Sequence, residues 1–454
     1  AHGLPPRTGN PYTTRVRAVA REGDGRLLVS QLVIVTGRGW CISARRLDRF
    51  EDRYASRTRV MRSSAMRDLM SLTARPEVIS LAGGLPATDC FPAELFEEIG
   101  TRIARTQCAL SLQYGPTEGF DALKVDVAQV MAEEWTQVDP ERVIITTGGQ
   151  QAIDLVAKAF LDPDDVVLAE SPAYAGALTT FLSYQADVIH VPMDGDGVVP
   201  EGVEETLDRL AVDGRRPKFL YVVPNFSNPS GVSLTLERRR RLVDLAAERD
   251  LLIVEDNPYG LLRYEGRIPP TLLSLDREGN VVYLGSFSKI ISPGIRTGYV
   301  VAPTAIYQKL VLGKQAADLC SSSLNQFFVH EFVAGGLWRD YVERLRSLYV
   351  SRRDTLLRAL EKEFPEGAVW TRPEGGFFVW ATLPDGIHTG DLLVKAIDEN
   401  VAFVRGDAFF VDGQGTTSMR LNFSYMKEEL IEEGVRRLGR VIRDQLELSR
   451  ALGF

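Results

Sequence analysis

The chain of 454 residues contains few of the residues that build disulfide scaffolds or histidine-based metal sites. Its four cysteines show no Cys-x-x-Cys spacing, which indicates buried thiols in a reducing compartment and no disulfides. Its four histidines form no His-x-x-x-His pair, so a metal site or a histidine triad would need scattered residues. The sequence therefore predicts no metal centre, no histidine triad and a cytoplasmic location.

Long apolar runs and an excess of basic residues are also absent. The stretch Leu27–Val35 is interrupted by a Ser and a Gln, and it is far shorter than the ~18–20 residues that span a bilayer. The formal net charge is −8, whereas proteins that bind nucleic acids usually carry a basic excess. We therefore expect neither a membrane nor a nucleic acid as a partner.

Residues 1–50 differ in composition from the rest of the chain. They contain nine Arg, no Lys and three acidic residues, with one strand-like segment at Leu27–Thr36. The favoured interpretation is a poorly ordered extension or a misplaced translation start. An Arg-rich targeting segment and a small docking element are the alternatives. We assign this leader no function.

From about residue 54 onward, short apolar runs alternate with amphipathic helical stretches such as Gln151–Phe160 and Leu236–Arg249. Five of the runs are continuously apolar, as strands buried on both faces must be. They are Val143–Thr147, Val166–Ala169, Phe219–Val223, Leu251–Val254 and Val281–Leu284. This alternation predicts an α/β fold with a mostly parallel central sheet and helices on both faces.

The pattern changes after Ser321. A long charged helix is predicted over Leu337–Glu363, followed by strands over Gly376–Thr382 and Ala402–Val404 and a last helix over Glu428–Leu448. The sequence thus predicts a smaller α+β domain after the large sheet.

Polar residues follow the buried runs at the edge of the sheet where ligands of such folds bind. Gly148-Gly149-Gln150-Gln151 opens a helix, where glycines allow backbone N–H groups to approach an anion. The fourth run ends in Glu255-Asp256-Asn257-Pro258-Tyr259, and the fifth leads into Gly285-Ser286-Phe287-Ser288-Lys289. An ordinary turn explains the first segment and a cap or ion pair the second, but few structural reasons place a lysine at Lys289.

Together these segments match the chemical needs of pyridoxal phosphate. This cofactor needs a lysine for its Schiff base, an acid paired with its ring nitrogen and an anion cradle for its phosphate. Lys289 and Asp256 meet the first two needs. Asn228, in a turn after the third run, and Tyr259 can donate to the phenolic oxygen. The candidate cradle consists of Gly149, Gln150, Ser286, Ser288 and Arg296.

Five motifs resemble, in their order along the chain, the fold-type-I aminotransferases of class I/II. They are Leu81–Pro86, Gln113–Gly119, Asn228–Gly231, Ser286–Lys289 and Met419–Phe423. The resemblance covers about residues 54–450, and it is to the branch of 2-aminoadipate, kynurenine and broad-specificity aminotransferases. It implies an N-terminal arm with part of the small domain over 51–110, a large domain that binds pyridoxal phosphate over 111–325 and a small domain over 326–454.

The resemblance also implies roles for further residues. Tyr174 would stack on the pyridine ring, unless it is only a packed core aromatic. Arg420 and Asn228 would bind the substrate, with Arg420 clamping its α-carboxylate in bidentate geometry. Gly84 would let the substrate approach the backbone closely. Tyr114 would reach the cofactor phosphate of a partner subunit, which implies a homodimer with shared active sites.

Two positions bear on the detail of the site. Many relatives carry Ser where this chain has Gly149, so backbone N–H groups and Gln150 must hold that side of the phosphate. Arg67 lies where 2-aminoadipate-type relatives carry an Arg that faces the substrate side chain. It would pair with an acidic side chain or swing aside for an apolar one. The structural alternative is a solvated Arg paired with a neighbouring acid.

The implied reaction is ping-pong transamination between an L-amino acid and a 2-oxo acid. The expected amino donors are 2-aminoadipate, glutamate and aromatic or branched-chain amino acids. A decarboxylase, lyase or synthase of the same fold stays open, because the sequence does not show which Cα bond stands perpendicular to the ring. A transcription regulator with an aminotransferase-like domain is a further alternative, but residues 1–50 are too short and non-periodic for its winged helix of roughly 70 residues.

Overall fold

The computed structural model describes residues 15–23, 26–35, 50–61 and 75–452. The chain divides into two compact units, Ala1–Val60 and Met61–Phe454. In the first unit, β1 (Arg15–Gly23) pairs antiparallel with β2 (Arg26–Val35). The strand-like segment predicted in the leader overlaps β2, whereas β1 is an addition. Two short 3-10 helices, Glu51–Arg53 and Ser56–Arg59, follow.

The remaining strands lie in the second unit. In chain order they are β3 (Ile79–Ser80), β4 (Val143–Thr146), β5 (Val166–Glu170), β6 (Asp187–Val191), β7 (Met193–Asp194), β8 (Gly197–Val198), β9 (Pro217–Val222), β10 (Ile253–Asp256), β11 (Val281–Ser286), β12 (Gly298–Val301), β13 (Val369–Trp370), β14 (Phe378–Thr382), β15 (Val401–Ala402), β16 (Val404–Arg405) and β17 (Ser418–Asn422).

The described α-helices of this unit are α1 (Ala93–Thr106), α2 (Cys108–Ser111), α3 (Asp121–Ala132), α4 (Gly149–Phe160), α5 (Ala175–Ser183), α6 (Pro200–Val212), α7 (Leu236–Arg249), α8 (Leu272–Leu275), α9 (Thr304–Ala317), α10 (Ser323–Ala334), α11 (Trp338–Glu363), α12 (Thr389–Asp398) and α13 (Glu428–Leu452). Short 3-10 helices cover Thr88–Cys90, Pro140–Arg142, Pro293–Ile295 and Gly406–Phe409. Within the part of the chain described, no helix has the length and apolar character needed to cross a membrane.

The central sheet contains seven strands in the order β4-β12-β11-β10-β9-β5-β6. The strands from β11 to β6 are parallel, whereas β12 runs antiparallel to both of its neighbours. All five apolar runs predicted as strands lie in this sheet. The prediction of a mostly parallel α/β sheet is therefore confirmed.

Helices cover both faces of the central sheet. Along β5, Val167 and Ala169 belong to one apolar core together with residues of α4, α5 and α9. The intervening residues, Val166 and Leu168, belong to another core with residues of α6 and α7. Because successive side chains of a strand point to opposite faces, a strand covered on both sides must be apolar throughout.

A smaller sheet in the order β13-β14-β17-β16 lies beyond the central sheet in the sequence. Leu356 of α11, Val379 of β14 and Leu438 of α13 share one core with this sheet. β3 pairs parallel with β15, which ties the segment before α1 to the C-terminal part of the chain. This pairing supports the proposal that part of residues 51–110 belongs to the small domain.

Candidate active site

The carboxyl ends of the central strands open on one cavity of about 540 Å³. It brings together most of the residues predicted for the site, namely Gly84, Gly149, Gln150, Tyr174, Asn228, Asp256, Tyr259, Ser286, Ser288, Lys289, Arg296 and Arg420. Tyr114 lies outside this cavity, and Arg67 lies outside the described residues. Lining residues that the sequence did not single out include Ser80, Leu85, Ile153, Val223, Pro258, Pro293 and Tyr425.

Lys289 follows the end of β11 by three residues, and its half-buried side chain lines the cavity. Its Nζ donates a hydrogen bond to the carbonyl oxygen of Gly84 at 2.9 Å. Removal from water, together with the positive charges of Arg420 and Arg296, lowers the pKa of Lys289 to about 8. About a tenth of this amine is therefore neutral, and nucleophilic, at pH 7, far more than for a lysine with an ordinary pKa of about 10.4.

Asp256 is the last residue of β10 and is buried beneath the cavity. The hydroxyl of Tyr221, on the neighbouring strand β9, donates to its Oδ2 at 2.5 Å. Burial raises the pKa of Asp256 to about 6, and the hydrogen bond from Tyr221 opposes this rise. The carboxylate is thus ionised at pH 7 and above, as an acid paired with a protonated ring nitrogen must be.

A group of anion-binding donors lies where α4 begins. Gly148, at φ +78°, precedes the helix, and a Cβ at this position would lie 2.6 Å from a guanidinium nitrogen of Arg296. Arg296 donates to the carbonyl oxygens of Thr147 and Pro293 at 3.2 and 3.3 Å. Among the described residues, no carboxylate lies within ion-pair distance of Arg296. The guanidinium can therefore take a bound anion as its charge partner.

Two hydroxyls complete this cluster. Ser286 Oγ donates to Ser288 Oγ at 2.9 Å, and the Ser288 N–H donates to Ser286 Oγ at 3.1 Å. The amide nitrogen of Gln150 donates to Thr180 Oγ1 at 2.7 Å, so that side chain is already engaged. The N–H groups at the start of α4, the hydroxyls and Arg296 are all donors. This set of donors suits a phosphate group.

Arg420, on β17, is buried with an exposed fraction of only 1%. It donates to Asn228 Oδ1 at 2.7 Å and to the carbonyl oxygen of Ala82 at 2.6 Å. Its guanidinium lies 4.1 Å from the ring centroid of Phe378. Burial lowers the pKa of Arg420 to about 10, which leaves the group cationic at neutral pH. A desolvated guanidinium at the cavity wall is well suited to bind a carboxylate.

Two tyrosines and one glycine complete the wall of the cavity. Burial raises the pKa of both Tyr174 and Tyr259, so both hydroxyls remain protonated donors, and Tyr259 forms a hydrogen bond with Asn228. A Cβ at Gly84 would lie 3.2 Å from Cζ of Phe378. A larger residue at position 84 would therefore crowd the Phe378 ring.

The residues of this chain fit pyridoxal phosphate: an amine for covalent attachment, a buried acid and a phosphate cradle surround one cavity. Sequence reasoning missed Tyr221 and Tyr425. Tyr221 lies within an apolar run, and only the pairing of β9 with β10 shows that it reaches Asp256. No signal in the sequence marks Tyr425 as part of the wall.

Comparison with known proteins agrees with this geometry. Residues 76–438 match the family model described as aminotransferase class I and II. Over 399 residues the chain is 41% identical to aromatic-amino-acid aminotransferase 1 of Thermococcus litoralis, with 88% of this chain and 96% of that protein covered. Over 391 residues it is 44% identical to the 2-aminoadipate transaminase of Thermus thermophilus, with 86% and 96% covered.

A solved structure gives the same result for the fold. The α-aminoadipate aminotransferase of Thermus thermophilus, complexed with N-(5'-phosphopyridoxyl)-L-leucine, matches with a TM-score of 0.82 at 41% identity. The match covers 88% of this chain and 99% of that one. The predicted fold type and the predicted reaction, pyridoxal-phosphate-dependent transamination, are confirmed, and the same-fold alternatives are not favoured. The chain belongs to the class I and II aminotransferases.

Proposed function

We propose that this aminotransferase holds pyridoxal phosphate in the cavity with Lys289, Asp256 and the cradle at α4. The observation that carries the proposal is the convergence in one cavity of a partly neutral amine, a buried carboxylate and a cluster of anion-binding donors. When bound, the cofactor supplies an electron sink that stabilises negative charge at the substrate Cα.

Lys289 is the proposed catalytic residue. Its Nζ is the nucleophile for covalent attachment, and it would also be the base that removes the proton from the substrate Cα and delivers it to C4′ of the bound cofactor. The pKa of about 8 supports both roles, because general bases work best when their pKa lies near the working pH.

Four side chains around the ring have proposed roles in orienting it. Asp256, fixed by Tyr221, holds a proton on the ring nitrogen. Asn228 and Tyr259 donate to the phenolic oxygen, and Tyr174 stacks on the ring. The support for these roles is that all of these side chains except Tyr221 line the same cavity and that the pKa of Tyr259 is raised by burial.

The proposed phosphate cradle consists of the N–H groups that begin with Gly149, the hydroxyls of Ser286 and Ser288, and Arg296. The partial positive charge at the start of α4 adds to the guanidinium charge. Gln150 lines the same cavity, but its bond to Thr180 makes its side chain a weaker candidate for the phosphate than the backbone donors.

Arg420 is proposed to bind the α-carboxylate of the substrate, beside Asn228 and Gly84. A bidentate pair with the planar guanidinium fixes the substrate in one orientation, which Lys could not do. The wall also includes Leu85 and Tyr425, whose side chains can contact an apolar or aromatic substrate.

We propose that the substrates are acidic amino acids, such as 2-aminoadipate and glutamate, together with aromatic or branched-chain ones. The named relatives support this range: one is an aromatic-amino-acid aminotransferase, one a 2-aminoadipate transaminase, and the solved structure carries a leucine adduct. Arg67 is proposed to pair with the acidic side chain.

A panel of amino donors and 2-oxo acids, tested on the wild type and on Arg67→Ala, examines this proposal. The variant should raise KM for 2-aminoadipate and glutamate by an amount equivalent to roughly 1.5–3 kcal/mol, the loss of a charge-assisted hydrogen bond, and should spare leucine and phenylalanine. Arg75→Ala, at an exposed position outside the cavity, is the control. Equal losses for both groups, or none, would remove Arg67 from the site.

We further propose a homodimer in which Tyr114 reaches the cofactor phosphate of the partner subunit. Tyr114 is 78% exposed, and the nearby side chains of Leu110 and Leu112 are 61% and 71% exposed. Clustered exposed apolar side chains are typical of a surface that another chain covers. A cytoplasmic location is also proposed, since the described cysteines, Cys90, Cys108 and Cys320, are free thiols.

A further inference from the structure

Lys314, on α9, is a lysine with no exposed surface, and the roles proposed above do not use it. Its Nζ donates to Asp318 Oδ1 at 2.8 Å, to Ser321 Oγ at 3.0 Å and to Gln151 Oε1 at 3.1 Å. These three partners match the three protons of an ammonium group. The ammonium is therefore fully satisfied by one carboxylate, one hydroxyl and one amide.

Two partners of Lys314, Gln151 and Asp318, also bind each other, and both bind Thr147, which lies just before the cradle. Gln151 Oε1 accepts the Thr147 N–H at 2.8 Å, and Gln151 Nε2 donates to Asp318 Oδ2 at 2.6 Å. The Thr147 hydroxyl donates to Asp318 Oδ2 at 3.0 Å. We refer to Lys314, Asp318, Gln151, Ser321 and Thr147 as the Lys314 cluster.

The Lys314 cluster leads directly to the cradle. The N–H of Thr147 donates to Gln151 and its hydroxyl donates to Asp318. Its carbonyl oxygen accepts a hydrogen bond from Arg296 at 3.2 Å. Thr147 is followed by Gly148, at φ +78°, and then by the first residue of α4. Thr147 therefore contacts the Arg296 guanidinium directly and lies two residues before the start of α4.

We propose that Lys314 is a positioning residue that holds Thr147, and through it Arg296 and the start of α4, in the geometry that binds the cofactor phosphate. This proposal rests on the proposed function, because it assigns the phosphate to that cradle. Packing alone does not call for an ion pair here, since apolar side chains of similar volume can often replace both partners of a buried ion pair at no cost in stability. What the ammonium adds is directional bonds to three groups at once.

The test compares two ligands that differ only in the phosphate. Full-length enzyme freed of cofactor is titrated with pyridoxal phosphate and with pyridoxal, and binding is followed by absorbance and by tryptophan fluorescence. Lys314→Met should lower the preference for pyridoxal phosphate over pyridoxal by about tenfold or more, the effect of weakening roughly one charge-assisted bond to the phosphate. Affinity for pyridoxal should change less than about twofold.

Lys158→Met is the matched control. Lys158 is an exposed lysine of α4 that contacts α9 through the carbonyl oxygen of Gly313, but it does not touch the Lys314 cluster. Its variant should keep the wild-type preference. If Lys314→Met does not fold, Gln151→Met, which removes the acceptor of the Thr147 N–H, should give the same loss of preference.

The outcomes separate this inference from the proposed function. If Lys314→Met and Gln151→Met keep the wild-type preference for pyridoxal phosphate over pyridoxal, whether or not both affinities fall, the positioning role is overturned and the cradle is left intact. A wild-type enzyme that binds both ligands equally well would instead contradict the cradle, and with it the proposed function.

Discussion

Asp256 and Tyr221 show how two neighbouring strand ends set the charge of one residue. Burial alone would favour the neutral acid, but the hydroxyl of Tyr221 donates to the carboxylate and limits the rise of its pKa to about 6. The group is therefore charged at neutral pH although it is buried. This charge is what a protonated ring nitrogen requires of its partner.

Asp256→Ala should lower kcat by at least about two to three orders of magnitude, because a ring nitrogen without a partner loses its proton and the substrate Cα loses its electron sink. Affinity for the cofactor should also weaken. Steady-state kinetics at saturating cofactor measures the effect. An unchanged kcat would mean that another acid serves the ring.

Tyr221→Phe should shift the acid limb of the kcat/KM profile to higher pH. The hydroxyl stabilises the carboxylate, so its loss raises the pKa of Asp256 above about 6, and the charged form is lost earlier as the pH falls. The rate above about pH 8 should change little, since Asp256 is ionised there in both proteins. An acid limb that does not move would show that Asp256 does not control it.

Single residues of the site could be predicted from the sequence only where the chain places them at strand ends. Lys289 and Asp256 follow continuous apolar runs, so their positions at the ligand edge were foreseeable. Tyr221 was not, because its contact with Asp256 depends on which strands are neighbours, and chain order does not show that. Tyr425 lies between β17 and α13, and no pattern in the sequence marks it. Thr147 and Lys314 are far apart in the sequence and are linked through Gln151 and Asp318, which the packing of α4 against α9 brings together.

The helices and strands also differ in how well the sequence predicted them. The helices at Leu236–Arg249 and Trp338–Glu363 agree with the sequence pattern to within a residue, since each is long and periodic. β6 was not predicted, because it is an edge strand whose residues are partly exposed and mixed in polarity. β12 was missed too. A parallel neighbour needs a crossover connection, usually a helix, and the segment between β11 and β12 contains no α-helix. β12 therefore pairs antiparallel with β11.

The pair of His330 and Asp126 joins α10 to α3, with His330 Nδ1 2.6 Å from Asp126 Oδ2. The hydrogen bond to Asp126 raises the pKa of His330 above its ordinary value. Since the folded pKa exceeds the unfolded one, the stabilisation is complete below the unfolded value of about 6.5 and is lost as the pH rises through the folded value.

His330→Gln should accordingly lower the free energy of unfolding by about 0.5–1 kcal/mol near pH 5.5 and by less near pH 9, as measured by denaturant titration. In an Asp126→Asn background the same substitution should show no such dependence on pH. A loss that grows with rising pH would contradict the assigned direction of the pKa shift.

At the scale of the whole molecule, the exposed position of Tyr114 bears on how many chains make one active site. This residue lies outside the cavity of its own chain, yet the resemblance assigns it to the cofactor phosphate. The proposed homodimer accounts for both statements, because a second subunit would supply Tyr114. The sequence could suggest this through a motif, but no single-chain feature could establish it.

Mixed dimers test the shared site. A dimer of one Tyr114→Phe subunit and one Lys289→Ala subunit contains one fully native site if Tyr114 acts across the interface, so it should show about half of the wild-type activity. A wild-type subunit paired with the double variant contains one site that lacks only Tyr114 and one site that lacks Lys289, so it should show about half of the activity of the Tyr114→Phe homodimer. The reverse order of activities, or a fully active monomer, would contradict the arrangement.

The central claim is that Lys289 moves the proton at the substrate Cα in an aminotransferase reaction, and a single-turnover half-reaction tests it most directly. Enzyme loaded with pyridoxal phosphate is mixed with L-2-aminoadipate or L-leucine, without a 2-oxo acid acceptor. The wild type should convert its cofactor absorbance to that of pyridoxamine phosphate and release one equivalent of 2-oxo acid per site, whereas Lys289→Ala should bind the same ligands without this conversion. A Lys289→Ala enzyme that released 2-oxo acid at a rate near that of the wild type would contradict the account.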